Sequence, residues 1–299
     1  MQSLFSSAPD FKYPITNSFD SYQPFFIVGS GRSGNTLLRR ILNTHQDVHI
    51  PPETYVLEKV IKNFKKSQNM RWEDIVHFTL SKFEFHPEFE TFQVSLRPLA
   101  CQLLETPKER RSLAFILNSF YLYHANQSHK KPIHWGDKTP YNIFFLDDIL
   151  EVFPQGKFIH IIRDGCDVIP SYVKAGRYKD IVSAAWRWRK SIESAERFSA
   201  KNPGVCLEIR YESLVKKPEV VAKELCAFLN LNYQAEILEI QETVWNMGDV
   251  SMRSHHQNVF RPISCSSIGK GRGELTMQER ARIKEIINPH LIRYGYEPC

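Results

Sequence analysis

The chain has 299 residues, of which 42% are hydrophobic and 24% are charged, and its formal net charge at pH 7 is +6. These fractions are ordinary for a globular protein, and they exclude a disordered chain, a collagen-like chain and a polytopic membrane protein. The positive surplus favours anionic ligands, but it is too small to indicate a nucleic-acid partner.

The first half of the chain begins with a strand, a Gly-rich turn and a helix. Residues 1–23 are predicted to be an irregular arm, because prolines and polar residues interrupt any hydrophobic period. The apolar run over residues 24–29 predicts a buried parallel strand, and residues 36–42 have helical periodicity. Residues from about 55 to 130 carry aromatic and helical patterns with few strand-like runs, which predicts a helical insertion.

The second half of the chain alternates strands with helices. Strand-like runs occur at residues 132–135, 157–162 and 205–210, and each is followed by polar residues. Helices are predicted at about residues 166–176, 180–200, 214–230 and 276–293. This alternation predicts an α/β fold of the P-loop type, a three-layer α/β/α architecture with a central parallel sheet. We expect one domain over residues 24–299, with the helical insertion inside it.

The turn after the first strand has the frame of a phosphate-binding loop. Its sequence is GSGRSGNT over residues 29–36. Glycines allow the backbone to close around an anion, and the amide groups at the start of the following helix can then face that anion. A nucleotide triphosphatase needs a lysine before the final Ser/Thr, and Asn35 stands there instead. The alternative is a tight turn without a ligand.

A second candidate anion site follows the strand at residues 157–162. Arg163 lies at the carboxyl edge of the predicted sheet, where open α/β folds bind ligands, and Ser171 lies about two turns into the next helix. An arginine and a hydroxyl in this arrangement can bind one phosphate group together. The alternative is a surface salt bridge from Arg163 to Asp164 or Asp167.

The cysteines and the hydropathy bear on where the protein acts. None of the six cysteines forms a CxxC pair or stands at metal-ligand spacing with a histidine, so we expect free and mostly buried thiols. The sequence has no signal-peptide pattern and no apolar run long enough to cross a bilayer. We therefore expect no membrane association and a cytoplasmic location.

The chain combines two candidate anion sites with a phosphate loop that has Asn35 in place of the usual lysine. In this combination it resembles the sulfotransferases that use 3′-phosphoadenosine 5′-phosphosulfate (PAPS). In that family the first loop holds the 5′-phosphosulfate, which here implies Arg32, Ser33, Gly34, Asn35 and Thr36. The Arg-plus-Ser element of the family holds the 3′-phosphate, which here implies Arg163 and Ser171.

Within the family, the motif order is most similar to the tyrosylprotein sulfotransferase branch. Three short motifs of that branch match Glu53-Thr54, Lys138 and Tyr211-Glu212. A late loop resembles the one that closes over the nucleotide in this family, and it implies nucleotide contacts from Ser267, Gly269 and Lys270, besides Tyr211. Tyr55 departs from the pattern, because the branch has a substrate-contacting arginine at that position.

The resemblance implies in-line sulfuryl transfer to an acceptor hydroxyl. Glu53 is the predicted general base, while His45 and His49 remain rival bases in the same stretch. The residues expected to stabilise developing charge are Lys138, Arg32 and Ser254. No metal is expected, because cationic side chains and amides can neutralise this charge.

The sequence leaves the acceptor and the oligomeric state open. A tyrosyl peptide, a sugar and a small alcohol or phenol all remain possible acceptors, and a homodimer is one possible assembly. Aromatic residues of the insertion line an acceptor pocket or form core, and core is the expectation at helical spacing. Two functional alternatives remain, namely a P-loop kinase or NTPase with a degenerate loop and a non-catalytic nucleotide-binding protein.

Overall fold

A five-stranded sheet forms the centre of the molecule in a computed structural model, which describes residues 12–239 and 261–299. The strands are β1 (Phe25–Gly29), β2 (Val48–His49), β3 (His134–Lys138), β4 (Lys157–Ile162) and β5 (Cys206–Arg210). They lie in the order β2-β3-β1-β4-β5, and every neighbouring pair is parallel. All carboxyl ends of the strands therefore lie along one edge of the sheet.

Helices connect the strands. Those before β4 are α1 (Asn35–Thr44), α2 (Leu57–Ser67), α3 (Trp72–Glu84), α4 (Arg97–Leu104), α5 (Leu113–Gln127) and α6 (Leu146–Val152). Those after β4 are α7 (Gly165–Lys174), α8 (Ile181–Lys201), α9 (Tyr211–Lys216), α10 (Pro218–Leu229), α11 (Lys270–Glu274) and α12 (Met277–Arg293). Short 3-10 turns lie at Phe89–Phe92, Lys108–Arg110, Pro140–Phe144 and Ala235–Leu238.

Side chains of β1 alternate between two hydrophobic cores. Phe26 and Val28 pack into the core formed with the insertion helices α2–α5 and with α6. Phe25 and Ile27 point to the opposite face and pack against α1, α9 and α10. Successive side chains of a strand point to opposite faces, so a strand buried on both sides must be apolar throughout. The predicted three-layer α/β/α fold, with its parallel sheet and helical insertion, is confirmed.

The described part of the predicted arm, residues 12–23, packs on the helical insertion. Tyr13 is only 9% exposed, and its ring lies 5.3 Å from the ring of Trp72 on α3. The carbonyls of Pro14 and Ile15 accept hydrogen bonds from the backbone at the start of α5, at 3.3 and 2.9 Å. This segment is therefore attached to the insertion rather than free of it.

Several elements differ from the sequence prediction. β2 was not predicted, because two residues are too few to show a hydrophobic pattern. β3 extends to Lys138, since the polar residues at its end are buried among hydrogen-bond partners. The helix predicted at 214–230 is two helices, because Pro218 cannot continue the hydrogen-bond pattern of α9.

All six cysteines are free, as expected, but the expectation that most are buried is wrong. Cys166 and Cys226 are buried, whereas Cys101 and Cys265 are exposed, one on the outer side of α4 and one in a loop. Over residues 12–239 and 261–299, we find no helix with the length and apolar character that crossing a membrane requires.

Candidate active site

A cavity of about 1210 Å³ opens at the carboxyl edge of the sheet. It brings together ten predicted site residues, namely Arg32, Gly34, Asn35, Thr36, Glu53, Arg163, Ser171, Tyr211, Ser267 and Lys270. Three more predicted residues are neighbours of the lining residues: Ser33 and Gly269 adjoin them in the chain, and Lys138 forms an ion pair with Glu53. Ser254, the remaining predicted residue, lies outside the described part of the chain.

The loop between β1 and α1 has the backbone conformation of an anion cradle. Gly34 precedes α1 with a φ of 100°, and a Cβ atom there would lie 2.5 Å from the Tyr211 ring. The side-chain amide nitrogen of Asn35, Nδ2, donates to the Ser30 carbonyl at 2.9 Å and so closes the loop. Among the described residues, the buried Ser33 hydroxyl has no hydrogen-bond partner. A bound phosphate or sulfate oxygen would satisfy this hydroxyl, so the loop fits an anionic group.

Arg32 contacts Ser171 at the cavity wall, and Arg163 contacts the backbone of Arg32. Arg32 Nε donates to Ser171 Oγ at 3.1 Å, and Arg163 Nη1 donates to the Arg32 carbonyl at 3.3 Å. Burial, followed by the nearby charge of Arg163, lowers the pKa of Arg32. Two guanidinium groups held together in this way repel each other, and an anion bound between them would relieve that repulsion.

Arg163 is held by three further contacts. Its guanidinium carbon lies 4.5 Å from the centre of the Tyr211 ring, and its Nη2 donates to the Ser267 carbonyl. The same nitrogen lies 3.3 Å from the carboxylate of Asp167, so the ion pair considered from the sequence exists. It is not a surface pair, however, because the Asp167 side chain is fully buried. Arg163 and Ser171 line the cavity together despite this ion pair.

Glu53 and Lys138 form an ion pair at the cavity wall. Lys138 is fully buried at the end of β3, and its Nζ donates to Glu53 Oε1. The neighbouring Thr54 fixes the Glu53 loop to the same strand, since Thr54 Oγ1 donates to the buried Asp137 carboxylate at 2.9 Å. The Thr54 amide also donates to Thr139 Oγ1 at 3.0 Å. These bonds hold the Glu53 carboxylate in the wall of the cavity that the phosphate loop also lines.

The rival bases lie away from the cavity. His45 Nε2 lies 2.8 Å from the carbonyl of Asn232, and its ring is fully buried. His49 Nε2 lies 2.8 Å from Nδ1 of His124 on α5. Neither His45 nor His49 lines the cavity. Of the three candidate bases, Glu53 alone lines the cavity.

The structure adds a group of lining residues that the sequence did not identify as functional. These are Tyr141, Phe144, His86, Arg187 and Tyr172, and Tyr55 joins them at the wall. The Tyr55 ring stacks on His86, with 5.6 Å between the centroids and 14° between the planes. The Arg187 guanidinium lies 4.1 Å from the centre of the Phe144 ring. Separate elements supply these residues, so periodicity within one element gave no signal for them.

Several aromatics of the insertion lie elsewhere. Phe83, Phe89, Phe92 and Tyr121 belong to the core beneath α2–α5, as their helical spacing predicts. Phe85 is 84% exposed on the surface. None of these five residues lines the cavity.

Comparison with proteins of known sequence finds protein-tyrosine sulfotransferases among the relatives of this chain. "Protein-tyrosine sulfotransferase 1" of Danio rerio is 26% identical over 287 residues, which cover 91% of this chain and 72% of that protein. "Protein-tyrosine sulfotransferase 2" of Gallus gallus is 25% identical over 291 residues, with 91% of this chain and 69% of that protein covered.

Solved structures show the same fold. The sulfotransferase domain of the Synechococcus PCC 7002 olefin synthase superposes with a TM-score of 0.63 at 21% identity, covering 98% of this chain and 99% of that domain. The sulfotransferase domain from the curacin biosynthetic pathway gives a TM-score of 0.60 at 21% identity, covering 93% and 99% of the two chains. A family model described as "Sulfotransferase family" matches residues 24–235. The phosphate loop, both arginines and the Glu53–Lys138 pair lie within that match, and the chain is an enzyme of the sulfotransferase family.

Proposed function

We propose that this enzyme transfers the sulfuryl group of PAPS to an acceptor hydroxyl, with Glu53 as the general base. One observation carries the proposal: Glu53, which is paired with the buried Lys138, lines the same cavity as Arg32, Arg163 and Ser171. A proton acceptor and two anion-binding arginines in one cavity suit a donor with separated anionic groups and an acceptor that must lose a proton.

The proposed donor pose uses the two anion sites for two different groups. The loop from Arg32 to Thr36 would bind the 5′-phosphosulfate through its backbone amides and the Ser33 hydroxyl. Arg163 and Ser171 would bind the 3′-phosphate, since an arginine gives a strong charge-assisted hydrogen bond to phosphate. Tyr211, Ser267, Gly269 and Lys270 would enclose the nucleotide. PAPS supplies a sulfuryl group attached to a phosphate that leaves readily.

The transfer step assigns one role to each charged group. Glu53 takes the acceptor proton while the acceptor oxygen bonds to sulfur, and the bond from sulfur to the phosphate oxygen breaks. Negative charge then grows on that phosphate oxygen, where Lys138 and Arg32 stabilise it. Protonation of Glu53 weakens its attraction for Lys138, so the ammonium group becomes available as the charge develops. Cationic side chains do this work in the proposal, which needs no metal.

The acceptor that fits best is a phenolic hydroxyl, either a tyrosyl residue or a small phenol. Aromatic residues line the same cavity as Glu53: the ring of Tyr55, which precedes α2, stacks on that of His86, which follows α3, and Tyr141 and Phe144 lie in the 3-10 turn after β3. Planar rings pack well against such walls in stacked or edge-to-face geometry. The names of the relatives from Danio rerio and Gallus gallus, which are protein-tyrosine sulfotransferases, support the same acceptor class.

A transfer assay tests the donor and the acceptor together. PAPS labelled in its sulfuryl group is incubated with the enzyme and with parallel panels of tyrosyl peptides, small phenols and sugars. We expect label in the phenolic panels and little in the sugars. Label in the sugars alone would contradict the phenolic assignment. Transfer from γ-labelled ATP would identify a kinase, and nucleotide binding without any transfer would identify a non-catalytic protein.

A further inference from the structure

Asp167 is a buried carboxylate that binds the backbone of the late loop. Its Oδ2 accepts a hydrogen bond from the amide of Gly269 at 2.8 Å, and its Oδ1 accepts one from the amide of Gly271 at 2.8 Å. The amide of Arg272 adds a third, longer bond to Oδ1 at 3.3 Å. One side chain of α7 therefore orients the segment that carries Lys270.

The same loop also packs directly on the backbone of α7. A Cβ atom on Gly271 would lie 2.7 Å from Asp167 Cα and 2.7 Å from the Cys166 carbonyl. Only a glycine permits this approach, because real Cβ contacts are never so short. Arg272 adds an ion pair to Asp164 at the start of α7, with 3.0 Å between Nη2 and Oδ2. Residues 269–272 are thus fixed on α7 by contacts independent of any ligand.

Asp167 also contacts the arginine of the proposed 3′-phosphate site. Arg163 Nη2 lies 3.3 Å from Asp167 Oδ2 and also donates to the carbonyl of Ser267 in the late loop. The carboxylate therefore connects three parts of the nucleotide site, namely the residue after β4, the helix with Ser171 and the late loop.

We propose that Asp167 is a positioning residue, which holds the Arg163 guanidinium and the 267–272 loop in the geometry that recognises the donor's 3′-phosphate. The inference rests on the proposed function, because that function assigns Arg163 to the 3′-phosphate. It makes a prediction opposite to that of simple electrostatics. A buried negative charge beside an anion site repels the anion, so its removal alone should strengthen phosphate binding. Loss of positioning should weaken it.

The test compares two nucleotides by calorimetry, adenosine 3′,5′-bisphosphate and adenosine 5′-monophosphate. In Asp167→Asn, one acceptor oxygen remains where the native carboxylate has two, so contacts to the loop and to Arg163 are lost. We expect the affinity for the bisphosphate to fall about tenfold, since hydrogen bonds to charged groups are involved. The affinity for the monophosphate should change by less than about twofold, a difference too small to reflect a lost hydrogen bond. A purely structural defect would weaken both nucleotides alike.

Two further variants complete the experiment. Gly271→Ala displaces the loop from α7 without changing any charge, and we expect the same selective loss. Asp180→Asn is the matched control, because Asp180 caps α8 by accepting from the Ser183 amide at 2.9 Å and does not line the cavity. It should leave the ratio of the two affinities unchanged. If Asp167→Asn does not fold, Gly271→Ala tests the inference in its place. A selective loss of bisphosphate affinity would support the positioning role, and an unchanged ratio of the two affinities would overturn it.

The outcomes separate this inference from the proposed function. A wild-type enzyme that binds both nucleotides equally would overturn the 3′-phosphate site itself. A wild-type preference for the bisphosphate that Asp167→Asn retains or increases would overturn the role of Asp167 alone.

Discussion

His49, one of the rival bases, and its partner His124 show how burial selects among candidate residues. Burial, followed by the charges of His124, Lys130 and Arg39, lowers the pKa of His49 to about 2. Burial, followed by the charge of Arg39, lowers the pKa of His124 to about 4. Both rings are therefore neutral at pH 7, and they share one hydrogen bond of 2.8 Å. This bond joins β2 to α5, and neither ring lines the cavity.

This histidine pair predicts a loss of stability in acid. The unfolded histidines titrate at an ordinary pKa of about 6.5, whereas the folded ones titrate lower, so the unfolded state binds more protons below pH 6.5. The free energy of unfolding should fall between about pH 6.5 and 4, by up to about 1.4 kcal/mol per pH unit for each excess proton. Urea unfolding across this range measures the slope. The His124→Gln variant should show a shallower slope, and an unchanged slope would contradict the assignment.

Sequence reasoning found the site residues that belong to continuous motifs and missed those that tertiary packing supplies. Arg163 was predictable because it follows a strand whose end must lie at the ligand edge of the sheet. Tyr141 and Arg187 lie in separate elements, and their meeting at one wall depends on how α8 packs against the turn after β3. A pattern within either segment contains no information about that contact.

At the scale of elements, hydrophobic periodicity predicted most of the fold. Strands such as β1 and β4 are buried on both faces, so they are visible as continuous apolar runs. Periodicity missed β2, and it ended β3 before Lys138, because a polar strand end is buried only when partners from other elements satisfy it. The docking of residues 12–23 was also missed, since it depends on tertiary contacts to α3 and α5.

The docked segment gives a prediction about stability. Tyr13 is 9% exposed and packs its ring on Trp72, so Tyr13→Ala removes a large buried side chain. We expect a loss of about 2–4 kcal/mol in the free energy of unfolding, because truncation of a buried aromatic leaves a cavity. Chemical denaturation measures the change. Phe19→Ala is the control, because Phe19 is 56% exposed in the same segment and should cost little. If the loss for Tyr13→Ala is as small as the loss for Phe19→Ala, the segment is not docked in solution.

At the scale of the molecule, the net charge of +6 has a local component. The cationic residues that line the cavity at the carboxyl edge of the sheet include Arg32, Arg163, Arg187 and Lys270. This concentration of positive charge favours a nucleotide with more than one anionic group. It explains how a modest overall surplus is compatible with a strongly anionic donor.

The cavity predicts a specific order of stabilisation by nucleotides. A ligand that binds only the folded state raises stability by about 2.7 kcal/mol when its concentration is a hundred times its dissociation constant. We expect adenosine 3′,5′-bisphosphate to raise the melting temperature more than ATP or GTP does at equal concentration, since only the former carries a 3′-phosphate for Arg163. Thermal-shift measurements test the order. A larger shift with ATP would instead favour the kinase alternative.

The central claim is that Glu53 accepts the proton of a hydroxyl as sulfuryl transfer occurs, and single-turnover transfer from sulfur-labelled PAPS tests it most directly. Glu53→Gln keeps the shape of the side chain but cannot accept the proton, so its rate should fall by about a hundredfold or more. Its affinity for adenosine 3′,5′-bisphosphate should stay near that of the wild type. Glu219→Gln, which alters an exposed Glu–Lys pair of 2.6 Å on α10, should transfer at the wild-type rate. Transfer by Glu53→Gln at a rate near that of the wild type would contradict the account.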